Sequence, residues 1–309
     1  MLYHFKSLHL SSFNIEIMKI VIAGGTGLIG TYLNDRFSEQ SDNVLIVSRI
    51  KGHVSWNHQE LINALEGADL LINLAGKTIN CRHTTKNKAA ILKSRIETTD
   101  ILGKAVLACN NPPRLWINAS ASAIYSADVK EPAIESSTQL ANDFLADVVK
   151  EWEKKFFSFQ LSQTRQLALR TSVVLSSNGG AFVPLSLLTK FGLGGKQGSG
   201  NQKFSWIHIE DYYRLILFLM NNPLKGIINC TSPHPISNSE LMLAFRKCYG
   251  VKFGLPAPAF AIKIGAAIIG TESSLLSNSS WLYPQSLLNS NFEFKFPFIE
   301  NAITDLMYK

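Results

Sequence analysis

Lys19-Ile20-Val21-Ile22-Ala23 runs directly into Gly24-Gly25-Thr26-Gly27-Leu28-Ile29-Gly30. The apolar run reads as a buried strand, the glycines as the turn that ends it, and the stretch from about Ile29 to Glu39 as an amphipathic helix. Glycines at 24, 27 and 30 permit a tight turn, close approach of backbone to a pyrophosphate, and close packing of helix on strand. A phosphate placed there meets the free N–H groups of the helix N-terminus. Glycines alone would also serve an ordinary turn. Their position between a strand and a helix points to a dinucleotide, with Gly24, Gly25, Thr26, Gly27, Leu28, Ile29 and Gly30 as the candidate cofactor residues.

Working outward, the pattern repeats. NVLIVS, DLLINLAG, RLWINAS and LALRTSVVL read as strands, separated by helices near Gln59 to Leu65, Thr85 to Cys109 and Asn142 to Gln160. Such alternation predicts an α/β chain: a Rossmann-type doubly wound parallel sheet with helices on both faces. After Leu175 the sequence turns glycine-rich and basic, and from about Asn238 it reads as helical with breaks at Pro256, Pro258 and Pro284. The expected division is a core over 18–175 and a smaller, mainly helical C-terminal substrate lobe over 176–309, with about 204–232 returning to the core. Residues 1–17, before Met18, read as an extension, either disordered or a mis-called start.

The chain has 309 residues, 46% hydrophobic and 17% charged, enough apolar material for a large core. Four scattered cysteines without a C-x-x-C pair argue against a zinc ribbon and fit a reducing, cytoplasmic home. The apolar stretch Leu255 to Gly270 holds two prolines and Lys263, too short and too interrupted to span a bilayer, and reads as a core-facing helix. No metal set is apparent; His208 and Asp211 in SWIHIED lack a third ligand and read as braces of a strand-to-helix junction.

The end of the second strand selects the cofactor. A carboxylate there would bond the adenosine 2′-hydroxyl, whereas an arginine accommodates a 2′-phosphate. Ser48 and Arg49 stand in that place, which favours NADP over NAD; an arginine simply exposed after a turn is the alternative.

The sequence resembles the extended short-chain dehydrogenase/reductase superfamily, in its NAD-dependent epimerase/dehydratase branch. More narrowly, it resembles the epimerase-family proteins sometimes labelled cell-division-inhibitor-like. The likeness rests on AGGTGLIG, Asn73-Leu74-Ala75-Gly76, NASAS, the Asp143 to Glu153 helix, LRTSVVLSSNGGA, GSGNQKFSWIHIED and NCTSPHPISNSEL. It implies a Rossmann core, with Asn73, Leu74, Ala75 and Gly76 closing over the adenosine side of the cofactor, although Asn73 could equally satisfy loop backbone. It also implies that Arg170 and Thr171 sit by the nicotinamide and substrate.

One departure bears on activity. Enzymes of the superfamily move a proton with a tyrosine and a lysine four residues later on one helix, beside a serine. Setting the helix by Trp152-Glu153 puts Leu145 and Val149 in those places, with Lys150 turned away by about 100°. The narrower group lacks the pair as well. Counting from the Ser-x-Ser-Ala pattern puts the serine at Ser122, whereas counting back from Ile124-Tyr125 puts the position at Ala121 and leaves Ser120 or Ser122 to substitute. Tyr125 is the preferred candidate for proton transfer, a tyrosine packing the loop being the alternative. The resemblance further suggests that the segment carrying Lys196, Gln202 and Lys203 lies across substrate phosphates.

Two functions follow. One is an NADP-dependent oxidoreductase or epimerase acting on a small phosphate-bearing, nucleotide-sugar-like substrate. The other is a non-catalytic NADP-binding protein that acts through a protein partner; a homodimer suits either. The chain carries 30 Lys/Arg against 23 Asp/Glu. Six of the basic residues lie between Asp69 and Glu97 and seven between Glu153 and Glu210, with no acid inside either stretch. Both stretches should border the cleft, so the excess reads as a field for a small anionic ligand rather than for nucleic acid or a membrane.

Overall fold

The computed structural model describes residues 17–50, 52–258, 260 and 279–309. The expectations for residues 1–16, and for most of Leu255 to Gly270, fall outside them.

The core begins β1 (Lys19–Ala23), α1 (Leu28–Ser38), β2 (Asn43–Val47), α2 (His58–Leu65), β3 (Leu70–Asn73), α3 (Thr85–Ala108) and β4 (Leu115–Ala121). A 3-10 turn over Ser122–Ile124, α4 (Phe144–Phe157) and β5 (Arg165–Thr171) follow. Next come β6 (Val173–Ser176), β7 (Gly179–Gly180), α5 (Phe182–Lys190), β8 (Lys203–Phe204), β9 (Trp206–His208) and α6 (Ile209–Asn221). The chain continues through β10 (Gly226–Cys230), β11 (Ile236–Ser237), α7 (Asn238–Cys248), α8 (Gln285–Asn289) and α9 (Ile299–Met307).

Six strands form one sheet in the order β10-β5-β4-β3-β1-β2, every neighbouring pair parallel. The period of two along β1 divides the core. Ile20 and Ile22 pack with Leu33 and Phe37 of α1 and with Tyr213, Ile216 and Leu219 of α6. Val21 and Ala23 point the other way, toward Leu61 and Leu65 of α2, Leu102 and Val106 of α3, and Phe156 of α4. A strand that buries alternate residues on two helix layers must be apolar throughout, which is why KIVIA and LLIN carry no polar alternation. The strand order reverses at β1: the chain goes from β1 to β2 on one side and then crosses back from β2 to β3 on the other, and the crevice outside the carboxyl ends of β1 and β3 is where such sheets bind ligands.

LRTSVVL is not one strand. Main-sheet pairing stops at Thr171, Ser172 donates its N–H and its hydroxyl to the Cys230 carbonyl, and Val173–Ser176 pairs instead with β9 and β7. The chain thereby leaves the sheet toward a second core, in which Phe182, Leu241, Phe245, Phe296 and Ile303 are buried together. β10 carries the chain back to the edge of the main sheet beside β5.

Candidate active site

The turn after β1 is built for backbone proximity. Gly24 has φ +79, and a Cβ there would lie 2.7 Å from the Ala75 nitrogen. A Cβ on Gly30 would lie 2.5 Å from Gly25 Cα, so α1 can rest on the turn only with glycine there. Gly27 differs, since its Cβ would meet nothing nearer than the Gly24 carbonyl at 3.6 Å. It is the N-cap of α1, with no side-chain cap and no acidic residue in the first turn. By contrast, Asn57, Thr84 and Asp143 cap α2, α3 and α4 with side-chain oxygens. The positive end of α1 therefore faces open space, and its N–H groups fit a pyrophosphate.

Gly24 donates to the Val47 carbonyl at 3.0 Å, which brings the end of β2 alongside this turn. Ser48 Oγ accepts from the Ile50 N–H at 3.4 Å. Arg49 is exposed and in no ion pair among the described residues, and no carboxylate stands at the strand end.

Beyond Ile29 and Leu74 a cleft of about 200 Å³ opens at the carboxyl ends of β4 and β5. Ala119, Ser120, Ala121 and Thr171 form its sheet edge, and Leu145, Val149 and Trp152 of α4 form one wall. Arg95 of α3 and Tyr212 of α6 also line it.

Residues 20–144 match the family model described as the NAD dependent epimerase/dehydratase family. The chain is 31% identical to an epimerase family protein of Staphylococcus aureus over 299 residues, 94% of this chain and 99% of the relative. The chain belongs to the epimerase/dehydratase family. Among solved structures it is similar to human epimerase family protein SDR39U1 (isoform 2), crystallised with NADPH. The TM-score is 0.86 and the identity 29%, over 94% of this chain and all of that one. A nucleoside-diphosphate sugar epimerase from Corynebacterium glutamicum superposes with a TM-score of 0.74 at 27% identity, over 96% of this chain and 60% of its own. UDP-glucose 4-epimerase from Thermotoga maritima, with UDP-glucose, shares the fold at a TM-score of 0.74 and 18% identity, over 94% and 98%.

As an epimerase-family chain, this protein places its expected catalytic residues unequally. Tyr125 does not face the cleft. The 3-10 turn folds it inward against Ile124, Ala133, Val149 and Leu282, and it is only 6% exposed. Its hydroxyl donates to Asn229 Oδ1 at 2.8 Å and accepts from Arg170 Nη1 at 2.8 Å. Burial pushes its ionisation up despite that guanidinium, so a tyrosine already bonded on both sides is a poor proton donor to a ligand. Ser122 lies in the 3-10 turn and does not line the cleft. Ser120 does, but its one proton goes to Glu153 Oε1 at 2.6 Å, leaving lone pairs for the cleft.

Arg170 is likewise buried and does not line the cleft. It grips both Glu153 oxygens, Nε to Oε1 at 2.9 Å and Nη2 to Oε2 at 2.8 Å. Arg170 and Thr171 are neighbours on one strand and point to opposite sides, so only one of them could reach the cleft, and it is Thr171. Leu145 and Val149 line the cleft. Lys150 turns away and donates to the Ala141 carbonyl at 2.9 Å.

Asn73 satisfies its own loop. Fully buried, it accepts from the Ala75 N–H at 3.1 Å and donates to Asn118 Oδ1 at 2.7 Å. Gly76 is exposed, Ala75 supports the Gly24 turn, and Leu74 reaches the cleft.

The three substrate-loop residues do not line the cleft. The Gln202 amide donates to the Gln197 carbonyl at 2.8 Å, and the Lys203 ammonium sits 4.9 Å from the Trp281 ring centroid. Lys196 is exposed. Asp211 accepts from the Lys295 and Phe296 N–H groups at 2.7 and 2.8 Å, tying α6 to the C-terminal segment. His208 caps α6 through Nδ1, which accepts from the Glu210 N–H at 3.0 Å. Among the described residues no three His, Cys, Asp or Glu side chains are grouped to hold a metal, and no helix is long and apolar enough to cross a membrane.

Most of the positive charge assigned to the cleft is used locally. Arg165 donates to the Leu224, Leu219 and Met220 carbonyls, Lys155 pairs with Asp100, and Lys93 with Glu97. Arg95 is the cation that lines the cleft; in the sequence it is one of six basic residues in the cleft-bordering stretch between Asp69 and Glu97, with nothing to single it out. Tyr212 was missed too, inside an apolar run; burial holds its phenol protonated far above the usual range.

Proposed function

We propose that this protein is an NADP(H)-dependent oxidoreductase of the epimerase/dehydratase type, acting on a small phosphate-bearing, nucleotide-sugar-like substrate. The observation that carries this reading is the continuity between the uncapped, open Gly27 end of α1 and the cleft edged by Ser120 and Thr171. NADP in preference to NAD is supported by the exposed Arg49, by the absence of an acid at the end of β2, and by NADPH in the human relative's crystal structure.

When bound, a nicotinamide supplies hydride chemistry. The chain's own residues have four tasks. The first-turn N–H groups of α1 hold phosphate, Ile29 and Leu74 pack the nicotinamide end, and Leu145, Val149 and Trp152 exclude water. Ser120, its proton committed to Glu153, accepts a hydrogen bond from an amide or hydroxyl of the ligand. At about 200 Å³ the cleft is smaller than the roughly 300–1,000 Å³ of most ligand pockets, so it would hold only the reacting end of a substrate.

Leu145 and Val149, which cannot exchange protons, favour a second reading: a binding protein in which NADP occupancy controls a protein partner. The deciding experiment mixes purified protein with NADP⁺ and nucleotide-sugars, and separately with NADPH and small carbonyl compounds, and follows nicotinamide absorbance. Turnover of any of them supports the enzyme; tight NADPH binding without turnover across the panel supports the second reading.

A further inference from the structure

We infer that Arg95 is the anion anchor of the cleft, its guanidinium receiving a carboxylate or phosphate oxygen of a substrate whose reacting carbon lies beside Ser120 and Thr171. This rests on the proposed NADP(H) site and narrows its substrates to small molecules with an oxyanion near the reacting centre.

Three observations converge. First, the guanidinium is fixed in place. Nη1 donates to the Ile91 carbonyl at 3.0 Å and to the Lys77 carbonyl at 3.1 Å, and the planar group lies 5.2 Å from the Trp152 ring centroid. Ser94 next to it accepts from the Lys77 N–H at 2.9 Å, so the loop after β3 is tied to this turn of α3. Second, the charge is unmatched. No carboxylate pairs with Arg95 among the described residues, whereas Arg36, Arg114, Arg170 and Arg214 each lie within 4 Å of one. Third, it is placed for a ligand. The side chain lines a cleft otherwise mostly apolar, and its Nε and Nη2 donors have no acceptor among the described residues.

A half-buried cation without a counter-ion is costly to keep, and burial alone lowers its pKa to about 10. It stays charged at neutral pH. A planar fork fixed over the Trp152 ring, with its Nε and Nη2 donors free along one edge, matches a carboxylate or phosphate in shape as well as charge. The phosphates of the dinucleotide have their own place at Gly27, so Arg95 remains for the second ligand.

The test uses full-length protein saturated with NADP⁺ and titrated calorimetrically with oxalate and, separately, inorganic phosphate. Oxalate binding alone assigns the site to carboxylates and phosphate binding alone to phosphates, and either result supports an anion anchor. Arg95→Gln should then weaken that binding by about tenfold or more, with Arg95→Lys recovering part of it, while NADP⁺ affinity and melting temperature stay near wild type. Equal anion affinity in Arg95→Gln, no anion binding to the loaded wild type, or a parallel fall in NADP⁺ affinity would overturn the inference. Failure of wild type to bind NADP⁺ at all would instead remove the site reading beneath it.

Discussion

Arg170 and Glu153 form a buried two-point ion pair, at 2.9 and 2.8 Å, that ties the end of β5 to α4 directly behind the cleft. Both are under a tenth exposed. Ser120 and Tyr125 each bond to one member, and Tyr125 passes the connection to Asn229, which donates to the Ala133 and Tyr283 carbonyls. A continuous polar chain thus runs from the cleft wall to the C-terminal segment.

Removing one partner of such a pair strands the other charge, so Arg170→Met or Glu153→Leu should each cost about 3–5 kcal/mol in urea unfolding. The double variant should cost clearly less than the two singles together, because no unpaired charge remains. Strict additivity in this double-mutant cycle would mean that the two groups are not coupled.

His208 is fully buried, faces Asp305 Oδ2 at 3.2 Å, and has its pKa pushed down to about 4, mainly by burial, with Asp305 opposing and Lys309 and Lys295 adding to the fall. In the unfolded chain it protonates near 6.5. A depressed histidine contributes stability that is present above the unfolded pKa and is lost as pH falls from about 6.5 toward 4, at roughly 1.4 kcal/mol per pH unit. His208→Asn keeps an N-cap acceptor and should flatten the stability profile in that window. An unchanged acid slope in this variant would place the sensitivity elsewhere.

The proposed preference for NADP rests on Arg49. Arg49→Glu should lower NADPH affinity by about tenfold or more and raise that for NADH, reversing their order in titration calorimetry. Equal losses for both cofactors would show that Arg49 does not read the 2′-phosphate.

The features legible in the sequence are those set by neighbours along the chain. Gly24 and Gly30 declare the turn because the left-handed φ of one and the contact of the other with Gly25 are both local, and the apolar runs of β1 and β3 declare a sheet covered on both faces. Side-chain direction at the carboxyl end of the sheet was less legible. Tyr125 follows a strand end facing the cleft, but one 3-10 turn rotates it toward Leu282, a partner remote in sequence. Arg170 and Thr171 read as equals until the pleat sends one to Glu153 and the other to the cleft. Arg95 was hidden among the lysines of α3, because only the packing of Trp152 against that helix distinguishes it from a solvated charge.

The central claim is that a dinucleotide phosphate rests on the N-terminus of α1 at Gly27, and Gly27→Asp tests it most directly. Gly27 has φ −83 and ψ 173, open to any residue, and aspartate is a favoured N-cap, so the fold should keep or gain up to about 1 kcal/mol of stability. The carboxylate would then occupy the place of the phosphate with the same sign of charge. Titration of NADPH into both proteins should give a loss of about 100-fold or more in the variant, or roughly 3 kcal/mol, with no fall in melting temperature. NADPH affinity equal to wild type in a folded Gly27→Asp protein would contradict the account.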